Sequence, residues 1–174
     1  MEQLVMRWRA DGAVMPDEPD WGEFTCRTFD GTDGDRDRWV TIVCEGFGSD
    51  SWTRKGFDDC MNAFGKLEND KLFIVEKDGD PAATLAVIPN YETKEGYIHM
   101  VACRPKYQGN GLGTGLNAMA VRCLLGIGMK TAYLTTDDFR IPAIKSYLRA
   151  GFYPDIKDES HRERWDKIYG IIGK

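Results

Sequence analysis

Apolar and polar positions change period several times along the chain, and each change predicts an element. Leu4, Met6 and Trp8 alternate with Val5, Arg7 and Arg9, the spacing of a short strand. Phe24 to Phe29 alternates again, and phenylalanine at both ends leaves its buried side open. Trp39, Ile42 and Val43 instead share one stripe of a helix over Arg38–Gly46, ended by Gly46 and Gly48. Phe57, Cys60, Met61 and Phe64 form the apolar face of a second helix, capped by Ser51 or Thr53 and running to about Phe64.

Lys71–Lys77 and Ala82–Pro89 are two strands joined by Asp78-Gly79-Asp80-Pro81, and Asp-Gly between such runs signals a hairpin. Tyr97–Cys103 follows as the third strand of a meander. Arg104-Pro105 closes it, because proline offers no N–H to a ladder and restricts the residue before it. The apolar run Leu116–Leu125 is a helix and Thr131–Thr135 a strand, as in a β-α-β crossover. Pro142 suits the first turn of a helix to about Arg149, Gly151 stops it, and Phe152-Tyr153 begins a short strand that Pro154 ends. Asp158–Lys167 is charged and periodic, a last helix. The order predicts an α/β (α+β) fold, a mixed central sheet flanked by helices, as one domain over residues 1–174.

Composition narrows the function. A chain of 174 residues supports one sizeable core, and 42% apolar with 29% charged residues is ordinary for a globular protein. The formal net charge of −5 weighs against nucleic-acid and membrane-surface partners, while leaving room for a local anion site. Five cysteines without a C-x-x-C pattern suggest free thiols in a reducing cytoplasm. No signal peptide stands out, and no apolar run reaches the roughly 18 residues of a membrane span. His99 and His161 are the only histidines, which excludes a three-histidine metal centre. Asp33, Asp35 and Asp37 invite a calcium loop, but Arg38 and Cys44 stand where its glycine and glutamate belong. No metal is expected; Asp35 or Asp37 is expected to cap the following helix.

Between the third meander strand and the Leu116 helix lie Gln108, Gly109, Asn110, Gly111, Leu112, Gly113, Thr114 and Gly115. Glycines let backbone approach a ligand, and a helix's first turn presents unpaired N–H groups backed by the helix dipole. This reads as an anion site, with Arg104 and Lys106 near enough in sequence to add charge. Thr114 stands where a dinucleotide fingerprint needs glycine, and no lysine–serine or lysine–threonine pair makes a triphosphate loop.

What remains, Gln108-x-x-Gly111-x-Gly113, resembles the acyl-CoA signature Gln/Arg-x-x-Gly-x-Gly/Ala of the GNAT N-acetyltransferase superfamily. The segment through Ala143, Tyr147, Gly151 and Phe152 resembles the same family's Asn-x-x-Ala-x-x-x-Tyr-x-x-x-Gly-Phe, with Arg140 where asparagine is usual. Both fall in the family's order, and the resemblance covers roughly residues 22–154. No clear final strand follows Pro154, although many members carry one; that absence bears on the acceptor site or a dimer contact. The leading LVMRWR strand and the GLGTGLNAMAVRCLLGIGM helix distantly resemble the acetyltransferase domains of mycothiol synthase, which by itself assigns no substrate.

The resemblance implies acetyl-CoA as donor and CoA as product, with the pantetheine arm between the strand ending near Cys103 and the strand near Tyr133. It implies that backbone groups of Met100, Val101, Ala102 and Cys103 pair with that arm, one N–H polarising the thioester carbonyl. Gln108, Gly109, Asn110, Gly111, Leu112, Gly113 and Thr114 would then hold the pyrophosphate, with Lys145, Arg104 and Lys106 as charge candidates. Tyr147 is expected beside the sulfur as proton donor, with an ordinary pKa near 10.

Alternation puts Tyr97 and His99 on one strand face, with Ile98 and Met100 on the other. Motif register puts Tyr97 where histone-type relatives carry a glutamate base, so His99 is the candidate base; Glu95, Tyr97 or a water chain are alternatives. Cys103 and Cys123 have no histidine partner in the sequence, so direct transfer is expected.

The acceptor is expected to be a primary amine, on a small molecule or a protein. The N-terminal portion and the Tyr91–Gly96 loop would line its side, with Trp21, Trp39, Phe47 and Trp52 suiting a cationic group beside an apolar body. An inactive acyl-CoA-binding module, a longer acyl donor and a hydroxyl acceptor stay open, and the edge strands leave room for a homodimer.

Overall fold

In a computed structural model, which describes residues 2–173, the chain runs β1 (Leu4–Arg9), β2 (Thr25–Thr28), α1 (Asp33–Phe47), α2 (Arg54–Met61), β3 (Leu72–Lys77), β4 (Asp80–Asn90) and β5 (Glu95–Cys103). It continues through α3 (Leu112–Gly126), β6 (Thr131–Thr136), α4 (Ile141–Arg149), β7 (Tyr153–Pro154) and α5 (Glu159–Ile172). The strands form one mixed sheet in the order β2-β3-β4-β5-β6-β1-β7. Only β5 and β6 are parallel, joined by α3 as the crossover pattern predicts.

Each face of the sheet buries a separate apolar cluster. Trp39, Ile42 and Val43 of α1, with Phe57 and Met61 of α2, cover Leu72, Ile74, Ala86 and Ile88. Leu112, Leu116, Ala120 and Leu124 of α3, with Ile144 of α4 and Trp165 of α5, cover Leu4, Met6, Leu85 and Leu134. The Asp78-Gly79 hairpin forms as predicted, both residues at positive φ (51° and 80°) as a two-residue turn of this kind requires.

Four helix ends differ from the sequence reading. Thr32, not Asp35 or Asp37, caps α1, its side chain accepting from the Asp35 N–H. Asp35 lies inside the first turn and is fully buried, because Arg27 reaches both its carboxylate oxygens at 2.7 Å. α2 stops at Met61, where the Asn62 side chain folds back onto the Asp58 carbonyl, so Phe64 leaves the helix and is exposed. α3 begins at Leu112, four residues before the apolar run. α5 extends past Lys167 to Ile172, since Trp165 and Ile168 are buried in the α3–α4 core. His161, in the first turn of that helix, is buried, with Nδ1 2.9 Å from Asp158 Oδ1.

Among the described residues no strand follows β7, and the place beside β6 is taken by β1. β1 pairs with β6 from Leu4–Thr136 to Arg9–Thr131, and its far edge pairs Met6 with Pro154 and Arg7 with Tyr153. Leu4, Met6 and Trp8 are all buried, on one face as their alternation predicts.

Candidate active site

β5 and β6 are partners only from Glu95–Thr131 to Tyr97–Tyr133. Beyond that they part, leaving a cleft of about 390 Å³ that reaches from Phe47 and Trp52 to Tyr147. A bulge in β5 accompanies the parting. Against β4, Ala102 pairs with Thr84 and His99 with Ala86, so Met100 and Val101 together oppose Leu85. Met100 sits at φ 51°, a left-handed conformation that costs a residue with a Cβ about 1–2 kcal/mol.

The bulge corrects one expectation. Met100 does not share a face with Ile98; it packs with the Tyr97 cluster, while Val101 packs with the Ile98 cluster. Beyond Tyr97 the β6-facing edge of β5 has no strand partner, so its backbone groups between Ile98 and Cys103 are open to a ligand. Ala102 and Cys103 return to the β4 ladder on their other side. Thr136 supplies a further unmet group, a buried hydroxyl in the cleft without a hydrogen-bond partner among the described residues. Thr136 lies one residue beyond the strand expected over Thr131–Thr135 and is not among the expected site residues.

The glycine-rich turn follows the end of β5 and opens α3. Gly109 and Gly111 adopt φ 83° and 75°, and left-handed Gly111 starts α3 without a side-chain cap. The first intrahelical bond recorded there runs from the Gly115 N–H to the Gly111 carbonyl, so the N–H groups of Leu112, Gly113 and Thr114 are left to face outward. Gln108 and Asn110 brace the turn, donating to the carbonyls of Cys103 (3.4 Å) and Tyr107 (3.0 Å). Donors converging on open space fit a pyrophosphate. Ser146 of α4 lies against this first turn and accepts from Asn117 of α3 at 2.8 Å.

The charge candidates separate. Arg104 is buried, with NH1 on Asp80 and the Pro81 carbonyl and NH2 on Glu45; Lys106 also binds Asp80. Both are spent on holding β4, α1 and the turn together, so neither is free for a nucleotide. Lys145, beside Ser146 on α4, has no ion-pair partner among the described residues and keeps its charge available.

Tyr147 lines the cleft and is 5% exposed. Burial pushes its phenol up to about 12, opposed by the charge of Arg140, so the ordinary value near 10 does not hold. His99 is also buried in the cleft wall, and burial lowers its pKa from the usual histidine range. It stacks on Tyr97 at 4.9 Å, on the shared face that alternation predicts, and Tyr97 stacks on Tyr133 at 4.6 Å. Its Nε2 meets Cys60 Sγ at 3.1 Å, a partnership between residues 39 apart that no local signal announces.

Burial pushes the thiols of Cys103 and Cys123 up to about 11, which keeps both protonated and poor nucleophiles. Phe47 and Trp52 do line the cleft, whereas Trp39 is fully buried core and Trp21 packs over Gly115 of α3. The N-terminal portion contributes Gln3 to the cleft. The Tyr91–Gly96 loop does not line it, because it enters the opposite end of β5, where Tyr91 donates to Glu68.

The profile of the acetyltransferase (GNAT) family matches residues 36–152. The mycothiol acetyltransferase of Streptomyces bingchenggensis is 35% identical over 81 residues, covering 47% of this chain and 26% of its own length. That of Streptomyces coelicolor is 28% identical over 128 residues, covering 71% of this chain and 41% of its own. The chain thus spans between about a quarter and two-fifths of the length of these relatives. A GCN5-related N-acetyltransferase from Sphaerobacter thermophilus shares the fold with a TM-score of 0.72 at 23% identity, over 88% of this chain and 48% of that one. The ribosomal-protein-S18-alanine N-acetyltransferase from Escherichia coli does so with a TM-score of 0.61 at 21% identity, over 75% of this chain and 77% of that one.

Proposed function

The chain belongs to the acetyltransferase (GNAT) family, and from that membership we propose that it transfers an acetyl group from acetyl-CoA directly to a primary amine. The observation that carries this reading is the pairing of two sets of open backbone groups, the N–H groups at the uncapped start of α3 and the strandless edge of β5 in the cleft with Tyr147.

Acetyl-CoA supplies the activated acetyl group as a thioester. The N–H groups from Gly109 to Thr114 hold the pyrophosphate, with Lys145 adding charge. Open backbone groups between Met100 and Cys103 hold the pantetheine arm, and an N–H freed by the bulge stands against the carbonyl oxygen where negative charge develops. His99, kept neutral by burial, takes the proton from the incoming ammonium. Tyr147 keeps its proton up to about pH 12 and therefore acts chiefly as a hydrogen-bond donor to the departing sulfur. Complete transfer from so weak an acid to a thiolate of ordinary basicity would run uphill.

Isothermal titration with acetyl-CoA, CoA and a longer acyl-CoA tests the donor. Gly113→Asp is the control: an acidic residue suits a helix N-terminus, so the fold stands while the anion is repelled. Micromolar binding of acetyl-CoA, lost in the control, is expected; no binding of any CoA by the native chain would overturn the reading.

A further inference from the structure

Arg140 keeps more of its guanidinium open than the ion-paired arginines of the fold. Its Nε donates to Asp137 Oδ2 at 3.0 Å, and its guanidinium lies 4.8 Å from the Phe47 ring and 5.5 Å from that of Phe139. Its two terminal nitrogens have no hydrogen bond or ion pair among the described residues. Arg27, Arg54, Arg104 and Arg164 all spend theirs on carboxylates.

Among the described residues, this open fork is the one Lys or Arg cation lining the cleft. The one anion there, Asp137, is engaged through both oxygens, by Arg140 Nε and by Gln3 Nε2 at 3.2 Å. Phe47, on which the guanidinium rests, packs with the α1–α2 cluster, whereas α3 packs on the opposite face of the sheet. The cleft therefore offers positive charge on the face away from the anion turn. α4 begins beside Arg140 without a side-chain cap, adding the positive end of its dipole.

Resting on the acetyl-transfer reading above, we propose that Arg140 binds a carboxylate of the acceptor, which makes the substrate an amine carrying its own carboxylate, of amino-acid type. Two parallel N–H groups match the two oxygens of a planar carboxylate, and a pinned Nε means little side-chain freedom is lost on binding. Stacking on Phe47 removes water from one guanidinium face and strengthens the pairing. The apolar body of the substrate would lie on Phe47 and Trp52, both part of the cleft wall. A phosphate, with more charge to neutralise, finds no second free cation along this wall among the described residues.

The test compares acetylation of phenylalanine, leucine and methionine with that of their amides, which keep the amine and lose the anion. Phosphoethanolamine is added to the panel, and CoA release is read with a thiol reagent. The free amino acids are expected to exceed the amides at least about tenfold in kcat/KM, the worth of a charge-assisted hydrogen bond. Arg140→Gln should bring that ratio to about one, Arg140→Lys should restore part of it, and acetyl-CoA affinity by titration should stay within about twofold in both.

Equal rates on acids and amides, a preference for phosphoethanolamine, or an unchanged ratio in Arg140→Gln would each overturn the proposal. So would loss of acetyl-CoA affinity in that variant, which would assign Arg140 to the donor. Acetyl-CoA binding without turnover on any amine also overturns it and leaves the donor reading standing; absence of acetyl-CoA binding removes that reading itself.

Discussion

Nε2 of His99 stands 3.1 Å from the Cys60 sulfur and 3.3 Å from the Cys60 carbonyl oxygen, so one residue near the end of α2 sets the tautomer of the cleft histidine. A carbonyl can only accept, so a bond to it puts the proton on Nε2 and leaves the Nδ1 lone pair free, whereas a bond from the nearer thiol would put the proton on Nδ1. Burial favours the neutral ring, which places the acid limb of the rate profile below the ordinary histidine value of 6.5. His99→Gln should lower kcat by about a hundredfold or more and erase that limb. Cys60→Ser should keep both within about threefold, whereas alkylating Cys60 in the native chain should slow turnover by crowding His99.

Removing the Tyr147 hydroxyl separates chemistry from binding. Tyr147→Phe should lower kcat about ten- to hundredfold while acetyl-CoA affinity stays nearly constant. Because burial holds the phenol near 12, its deprotonation should cause no loss of native activity below about pH 11. A basic limb near pH 10 that vanishes in Tyr147→Phe would contradict this.

Asp35 ties the outer strands to α1 and makes stability depend on acid. Its pKa is lowered to about 2, chiefly by the Arg27 hydrogen bonds, against a usual 3.8. A carboxylate bound more weakly by protons when folded stabilises the protein above the higher value and loses that contribution as pH falls through the lower one. The shift corresponds to about 2 kcal/mol at neutral pH. Asp35→Asn should cost about 3 kcal/mol in urea unfolding at pH 7. The variant should also lose less stability than the native chain between pH 5 and pH 3.

Gly46 is where α1 presses on the bulged strand. A Cβ there would meet Ala102 Cβ and the Cys103 carbonyl at 3.2 Å and the Cys103 N at 3.3 Å, mostly backbone that cannot swing aside. Gly46→Ala should therefore destabilise the fold by about 1–3 kcal/mol despite alanine's better helix propensity. It should also weaken acetyl-CoA binding, because the displaced residues form the open edge of β5. Gly126→Ala, with nothing near its Cβ position on α3, is the neutral comparison.

Most elements were legible because their signals are local: alternation in β1, the Trp39–Ile42–Val43 stripe, the Asp78-Gly79 turn and the glycines before α3. Long-range relations were not. The bulge at Met100 leaves no compositional mark, since it arises from a two-against-one register with Leu85 of β4. The loss of Arg104 and Lys106 as ligands follows from Asp80 and Glu45, which approach only after β4 and α1 are placed. Thr32 outranked Asp35 as a cap because a distant arginine drew Asp35 inward. The same applies to Cys60, which reads as one more apolar position on α2 until the sheet brings His99 to it.

The place of β1 between β6 and β7 also sets an order of events at the ribosome. Leu4, Met6 and Trp8 emerge before every other strand of the sheet, yet their ladder partners lie at 131–136 and 153–154, and the Arg7–Asp155 pair spans 148 positions. During synthesis these three apolar side chains must therefore wait, unpaired, until β6 and β7 have left the exit tunnel. The β3–β4–β5 meander can assemble well before then, from neighbours in sequence. Made before the rest of the sheet, these residues are among the last of it to find their places, and a nascent chain arrested before Thr136 should display them to any chaperone that reads exposed hydrophobic strands.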